Sequence, residues 1–316
     1  MSAIPESVLH WASEVAAGGA PVESVTGLLS GGSPWMLRFA GAGGGSGGSQ
    51  DGGHGSMSAA VLRCAPLDDD EALEGFDVEA CALDIAEAHG IAAPRLIGFD
   101  PDGTAAGALA ILVSLVDGTS RISMKPIPGR LRAFGAACAA INSIPAPAEP
   151  RLPHRVRPIS GVDFAAVRRA RGTKGLVADA EQAIAELPVP DAERVFVHGD
   201  LWQGNTLWAG GELSALVDWD CSGVGSYGVD LGSARCDAAV MYGPEFAAEV
   251  LDGWQEASGR VAENVAYWDV VAALSTPPEM AEFVPPIQGQ GRTDLDQPIL
   301  AERRDAFLRA ALDQLI

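Results

Sequence analysis

The run "VFVHGDLWQGNTLWAGGELSALVDWD", residues 195–220, constrains the fold more than any other part of the chain. "VFV" reads as an apolar strand that stops at a histidine. "TLW" and "LSALV" flank "AGGE", a glycine-rich tight turn, so 206–217 is expected to be a β-hairpin. Asn205 and Asp218 then stand just outside its two arms, nearly opposite one another, with side chains on the order of 5–8 Å apart. An amide oxygen and a carboxylate at that separation can share one hard cation, and magnesium prefers oxygen ligands. Asp200, five residues before Asn205, begins the same turn. His198 directly follows the strand, and its expected work is structural, holding the loop by hydrogen bonds.

Around this run the chain changes texture. Residues 3–18 carry an apolar face compatible with a short helix, and 24–39 read as two strands turning at Gly31 and Gly32. Residues 40–58 have almost no side chains to bury and are expected to form a mobile loop or insertion. A strand follows at 59–65, then a helix with Val78, Cys81, Ile85 and Ala88 on one face and Gly90 past its end. "APRLIGFD" and "GALAILVSLVDG" supply two more strands. Beyond Gly118 helices dominate: Leu131, Phe134, Cys138 and Ile141 form one stripe, and further helices fit 162–186, 244–257, 263–275 and 299–315. The expected class is α+β, a small antiparallel-sheet lobe with one long helix joined to a larger, mainly helical lobe.

Composition narrows the function. A chain of 316 residues can build two lobes with a sizeable core. No apolar run reaches the roughly 18–20 residues that span a bilayer, so no membrane partner is expected. The N-terminus lacks the basic and apolar regions of a signal peptide. Cysteines 64, 81, 138, 221 and 236 form no CxxC pair and read as free thiols in a reducing cytoplasm. A formal net charge of −21 argues against nucleic acid. Such a field would attract a cationic small molecule, though it serves solubility equally well.

Asp and Asn are ordinary turn formers when they occur singly. H-x-D-x-x-x-x-N followed by an apolar strand and an aspartate is far more demanding, and it has the layout of the kinase catalytic loop with its metal-binding aspartate. In that layout Asp200 takes a proton from an incoming hydroxyl while Asn205 and Asp218 hold magnesium against phosphate oxygens. "HGDLWQGNTLW…LVDWD" resembles the aminoglycoside phosphotransferase family, the small-molecule branch of the protein-kinase-like fold.

The resemblance implies an N-terminal nucleotide-binding lobe over 1–113, a hinge over 114–118 and a catalytic, substrate-binding lobe over 119–316. It implies ATP, with GTP as the alternative nucleotide, and magnesium. "LLSGGSPWMLRF" would supply the glycine turn over the phosphates through Gly31, Gly32 and Ser33. Arg63 would grip phosphate where the family usually has lysine, with Glu79 as its partner on the following helix, and the only lysines are Lys125 and Lys174. Backbone groups at Ser114 and its neighbours would meet the adenine edge. Asp230, in "GVGSYGVDLGS", would be a structural acid.

The acceptor is expected to be a small-molecule hydroxyl compound. Asp220, Glu279, Glu282 and Asp294 lie in segments that could line the cleft and suit a cationic amino sugar. A metabolic sugar or amino-alcohol kinase and a non-catalytic, nucleotide-binding module stay open beside it. A protein kinase fits less well, because no HRD, DFG or APE run occurs.

Overall fold

The computed structural model describes residues 4–28, 34–41 and 57–315. The first half builds one antiparallel sheet. In chain order come α1 (Glu6–Ala17), β1 (Val22–Gly27), β2 (Trp35–Phe39), β3 (Ala59–Ala65), α2 (Asp70–Ala88), β4 (Leu96–Asp100) and β5 (Leu109–Ser114). The strands lie in the order β1-β2-β3-β5-β4, every neighbour antiparallel. Strand side chains alternate between faces. Ala60, Leu62, Ala110 and Leu112 therefore meet Val8, Trp11 and Ala12 of α1, while Leu109 and Ile111 meet Phe76 and Ala80 of α2. The sheet is thus covered on both faces. Gly98 in β4 lets α1 approach, since a Cβ there would press into Val15 and Trp11.

Asp69 caps α2 by accepting from the Ala72 N–H at 3.0 Å. The expected stripe on this helix needs correction: Val78 and Cys81 are buried, Ile85 is half-buried and Ala88 is exposed. α2 faces two layers at once, the sheet through Phe76 and Ala80 and the helical core through Val78, Ala82 and Ala86. Burial therefore spreads around the helix and ends before its last turn.

The second half follows with α3 (Pro128–Asn142), β6 (His154–Arg155), α4 (Phe164–Arg171), α5 (Leu176–Ala185), β7 (Arg194–Val197), β8 (Thr206–Ala209), β9 (Glu212–Leu216) and β10 (Gly223–Ser226). Helices α6 (Tyr227–Tyr242), α7 (Ala247–Ser258), α8 (Val265–Leu274), α9 (Val284–Gly289) and α10 (Gln297–Leu315) complete it. β8 and β9 form the expected hairpin, with Thr206 opposite Leu216 and the turn at Gly210 (φ 59°) and Gly211 (φ 94°). Both turn residues need positive φ, which glycine supplies without a Cβ clash.

Two expectations fail here. The single helix over 162–186 is two, because the chain turns left-handed at Gly172 (φ 63°) and again at Gly175 (φ 81°). Helix α6 was not expected at all. Most of its residues are buried, so it shows no one-sided periodicity, and Gly228 and Gly232 lower its intrinsic propensity. Those glycines are a packing requirement, since a Cβ at either would run into Trp268 of α8. Among the described residues no helix is long and apolar enough to cross a membrane.

Candidate active site

β7 delivers the chain to His198, which is fully buried. Its Nδ1 accepts from the Asp200 N–H at 3.4 Å, so its Nε2–H donates to Val217 O at 3.1 Å. Burial pushes its pKa down to about 4, which keeps the ring neutral for both bonds. The ring also packs on Trp219, centroids 4.5 Å apart. Asp230, in the first turn of α6, accepts from the N–H groups of His198 and Gly199, each at 2.9 Å, and from Asn142 Nδ2 at 3.0 Å. Burial raises its pKa to about 6, against the pull of those three donors. His198 and Asp230 thus hold the loop from two sides and touch no open space. Gly199 (φ 82°) lies against the Cys221 carbonyl, where any Cβ would overlap it.

The loop carries Asp200 and Asn205 to one point. Asn205 Nδ2 donates to Asp200 Oδ2 at 3.2 Å and to Asp200 O at 3.0 Å. Val217 N–H donates to Asn205 O at 2.9 Å, which brings Asp218 beside them. Asp218 has a left-handed backbone (φ 69°). Arg63, on β3, donates from Nη1 to Asp218 Oδ1 at 3.1 Å and to Asp220 Oδ2 at 3.2 Å, and its Nη2 pairs with Glu79 of α2. One guanidinium of the sheet half thus reaches two carboxylates of the helical half.

Charge is out of balance here. Burial first, then Asp218 and Asp220, raise the pKa of Asp200 to about 8, while the Asn205 bond lowers it. Burial and Asp220 raise Asp218 to about 7, against the pull of Arg63. Crowded, desolvated carboxylates favour protonation unless a cation joins them. Asn205 Oδ1 and Asp218 Oδ2 have no hydrogen-bond partner among the described residues. Two hard oxygens in a negative setting fit a divalent cation that completes its shell with other oxygens. Among the described residues no cluster of three or more His, Cys, Asp or Glu forms a self-sufficient metal cage.

Two cavities meet at this point. One of about 570 Å³ lies under the sheet, lined by Val61, Arg63, Glu79, Val113, Leu207 and Val217. The other, of about 590 Å³, holds Asp200, Trp202, Asn205 and a wall from the helical half. Asp218, Leu28 and Gln290 line both. Gly31, Gly32 and Ser33 lie outside the described residues, as do 42–56 of the expected insertion, while Leu28 and Pro34 on either side of the glycine turn line the first cavity. Ser114 lines it too, but its N–H is spent on Arg95 O at 2.9 Å and its Oγ accepts from Arg95 N. The next two residues, Leu115 and Val116, have backbone groups without a backbone partner among the described residues.

The acids expected around the acceptor are elsewhere. Glu279 and Glu282 pair with Arg171, Asp294 with Arg292 and Asp220 with Arg63, and none of the four lines the second cavity. An acid that sequence reasoning missed does line it: Asp237, whose Oδ2 accepts from Gln203 N at 3.2 Å and Nε2 at 2.7 Å. Burial raises its pKa to about 7. Asp237 lies two helical turns after Asp230, so recognising α6 would have placed both on one face. The other missed members, Ile159 and Met280, are apolar and leave no motif.

Comparisons with known proteins agree with this architecture. Macrolide 2'-phosphotransferase MphH from Brachybacterium faecium superposes with a TM-score of 0.57 at 18% identity, covering 98% of each chain. AMP-bound spectinomycin phosphotransferase gives 0.61 at 11% identity, covering 96% of this chain and 97% of that one. Amicoumacin kinase, in complex with AMP-PNP and Ca2+, gives 0.55 at 15% identity, covering 98% and 92%. These likenesses establish the fold. No match to a curated protein sequence was found. Family assignment comes from the sequence itself: the model of the phosphotransferase enzyme family matches residues 50–274, more than half of the chain, and the protein belongs to that family.

Proposed function

We propose that the protein is an ATP-dependent small-molecule kinase of the reducing cytoplasm, transferring the γ-phosphoryl group to an acceptor hydroxyl. The observation that carries this reading is the junction of two similar cavities at Asp218, with Asp200 and Asn205 bonded to each other on the acceptor side. Residues 1–113 serve as the nucleotide lobe and 119–316 as the catalytic lobe, with 114–118 between them. Val61, Val113 and Leu207 would hold the adenine, and the backbone groups of Leu115 and Val116, next to Ser114, would be available to its edge. Arg63, held by Glu79, grips phosphate oxygens by its fork.

Asn205 Oδ1 and Asp218 would hold magnesium, which when bound offsets charge on the phosphates. Asp200 accepts the acceptor's proton at Oδ1 or Oδ2. Its raised pKa matters here, because a protonated Asp200 cannot serve. The bond from Asn205 Nδ2 to Asp200 Oδ2 favours the charged form that a base needs. Positioning and electrostatics then supply the rate.

Arg63 bonded to Asp218 Oδ1 also favours a second reading, a nucleotide-binding module without turnover in which the guanidinium occupies the place of the cation. A coupled ADP-release assay decides between them. Magnesium-dependent ADP formation that Asp200→Ala abolishes supports the kinase. Nucleotide binding without ADP formation, over aminoglycosides, macrolides, amino sugars, choline and homoserine, supports the module.

A further inference from the structure

Four non-glycine residues have a left-handed backbone among the described residues, and three of them line one cavity: Ile159 (φ 49°), Asp218 (φ 69°) and Met280 (φ 60°). A β-branched residue at positive φ is an outlier that persists only where its surroundings over-determine it. For Ile159 they do. Its N–H donates to Gly199 O at 2.9 Å, in the catalytic loop, and its carbonyl accepts from Arg157 Nη1 and Val162 N, each at 3.2 Å. Met280 N–H donates to Pro277 O at 3.2 Å, and its carbonyl accepts from Phe283 N at 3.2 Å. Buried Arg304 ties the preceding segment, donating to Thr276 Oγ1 and Pro277 O at 3.2 Å and to Pro278 O at 3.1 Å. Local strain is thus maintained at two places on the wall of the Asp200 cavity, where half-buried Ile159 faces the space and fully buried Met280 backs the wall from the core.

Phe283, Pro286 and Ile287 extend that wall. Two of the cavity's hydroxyls are engaged, Ser275 Oγ with Val271 O at 2.8 Å and Thr276 Oγ1 with Ala273 O at 2.7 Å, which leaves Ser233 Oγ without a partner among the described residues. Beyond Asp200 and Asp218 the one acid lining the cavity is Asp237, whose Oδ1 has no partner among the described residues. A polycation needs several carboxylates facing it. A small quaternary amine would leave most of 590 Å³ unfilled. We propose that the acceptor is a bulky alcohol with a predominantly apolar body and one hydrogen-bond donor that meets Asp237, an inference that rests on the phosphotransferase reading. Ile159, Met280 and Phe283 set its specificity through shape, and Asp200 receives its hydroxyl.

The test uses the full chain, saturated with ADP and magnesium, and a calorimetric titration of n-alkyl β-D-glucosides from methyl to octyl, with kanamycin as the polycationic comparator. Affinity is expected to rise roughly fourfold per buried methylene. Kanamycin should bind more weakly than the octyl compound. Phe283→Ala should weaken the octyl compound about tenfold or more and the methyl compound less than about twofold. Flat affinity along the series, tighter binding of kanamycin, or a rise that Phe283→Ala leaves intact would overturn the proposal. If ADP with magnesium fails to bind in the first place, the phosphotransferase reading fails and the acceptor proposal falls with it. Normal nucleotide binding with a flat series condemns the acceptor proposal alone.

Discussion

The two cavities that touch at Asp218 are nearly equal in volume and are built on opposite plans. The one under the sheet takes its sheet-side wall from paired strands, with loops closing the rest: Val61 lies opposite Val113 and Arg63 opposite Ile111 in the β3–β5 register. Regular hydrogen bonding fixes where each of these side chains can be, and strand alternation puts Arg63 on the same face as Glu79 of α2. The Asp200 cavity takes one wall from the body of α6, through Ser233, Cys236, Asp237 and Val240, and another from loops and helix ends held by Arg304 and by residues at positive φ. The ion pair of Arg63 and Glu79 stands on periodic structure, whereas Asp200 and Asp218 are carried by loops. Groups that recognise shape stand on irregular structure, where a change of side chain alters the wall without disturbing a ladder.

The strongest way to break that contrast is at the junction. Asp200→Ala should lower kcat on the order of 10²–10⁴-fold, the usual range for removing a general base. Nucleotide affinity should hold within about threefold, because the strand-built cavity does not include Asp200. ADP release and calorimetry with ADP read the two separately. A variant that loses both equally would mean that the cavities are a single cooperative site.

Gly199→Ala probes the loop's support rather than its chemistry. The new methyl would overlap Cys221 O, and the residue would have to keep φ 82°. Both effects destabilise, together by roughly 2–4 kcal/mol. Urea unfolding measures the loss, and ordinary stability in this variant would show that the loop shifts to accommodate a side chain.

How much of this was legible divides along the same line. The hairpin at 206–216, the catalytic loop and the five strands of the first sheet follow from alternation and glycine turns, which act locally. Arg63 meeting Glu79 needed the resemblance, because nothing in either residue's neighbourhood specifies a partner 16 positions away on another element. Helix α6 escaped because burial all round erases the periodic signal, and with it Asp237 was lost. Glu279, Glu282 and Asp294 were read as facing the cleft because a carboxylate's charge is visible in sequence and its arginine partner is not. Ile159 and Met280 have no signature at all, since their role comes from backbone conformation imposed by Gly199, Arg157 and Arg304.

The pH dependence of stability sharpens the electrostatic side of the comparison. Asp200, Asp218 and Asp237 have folded-state pKa values of about 8, 7 and 7, above the ordinary carboxylate value. With Asp230 at about 6, they make the folded protein bind more protons than the unfolded chain. They outweigh neutral His198, whose lowered pKa acts the other way below about 6.5, so stability should fall as pH rises from about 4 to about 8. Their stabilising contribution is fully present below the unfolded-state value and is gone above the folded one. Magnesium with ADP should flatten the slope by lowering the values for Asp200 and Asp218. Urea midpoints measured at a series of pH values, with and without magnesium and ADP, test this. A midpoint that rises toward pH 8 in the absence of ligand would contradict the assignment of these acids as crowded and buried.

The smallest effect, and the finest test of the contrast, is at Asp237. Asp237→Asn retains an oxygen for Gln203 N and Nε2, so the wall should keep its shape. What disappears is a negative charge facing the acceptor, with Asp200, Asn205 and Asp218 untouched. KM for an acceptor whose donor meets Asp237 should rise by about threefold to tenfold with kcat within about twofold, the pattern of an interaction equally strong in ground and transition states. The same variant should show a shallower pH slope of stability, because one of the proton-binding acids is gone. A fall in kcat at constant KM would place Asp237 with the proton-handling group instead, and the division between a charge-handling cavity and a shape-reading one would have to be redrawn through the middle of α6.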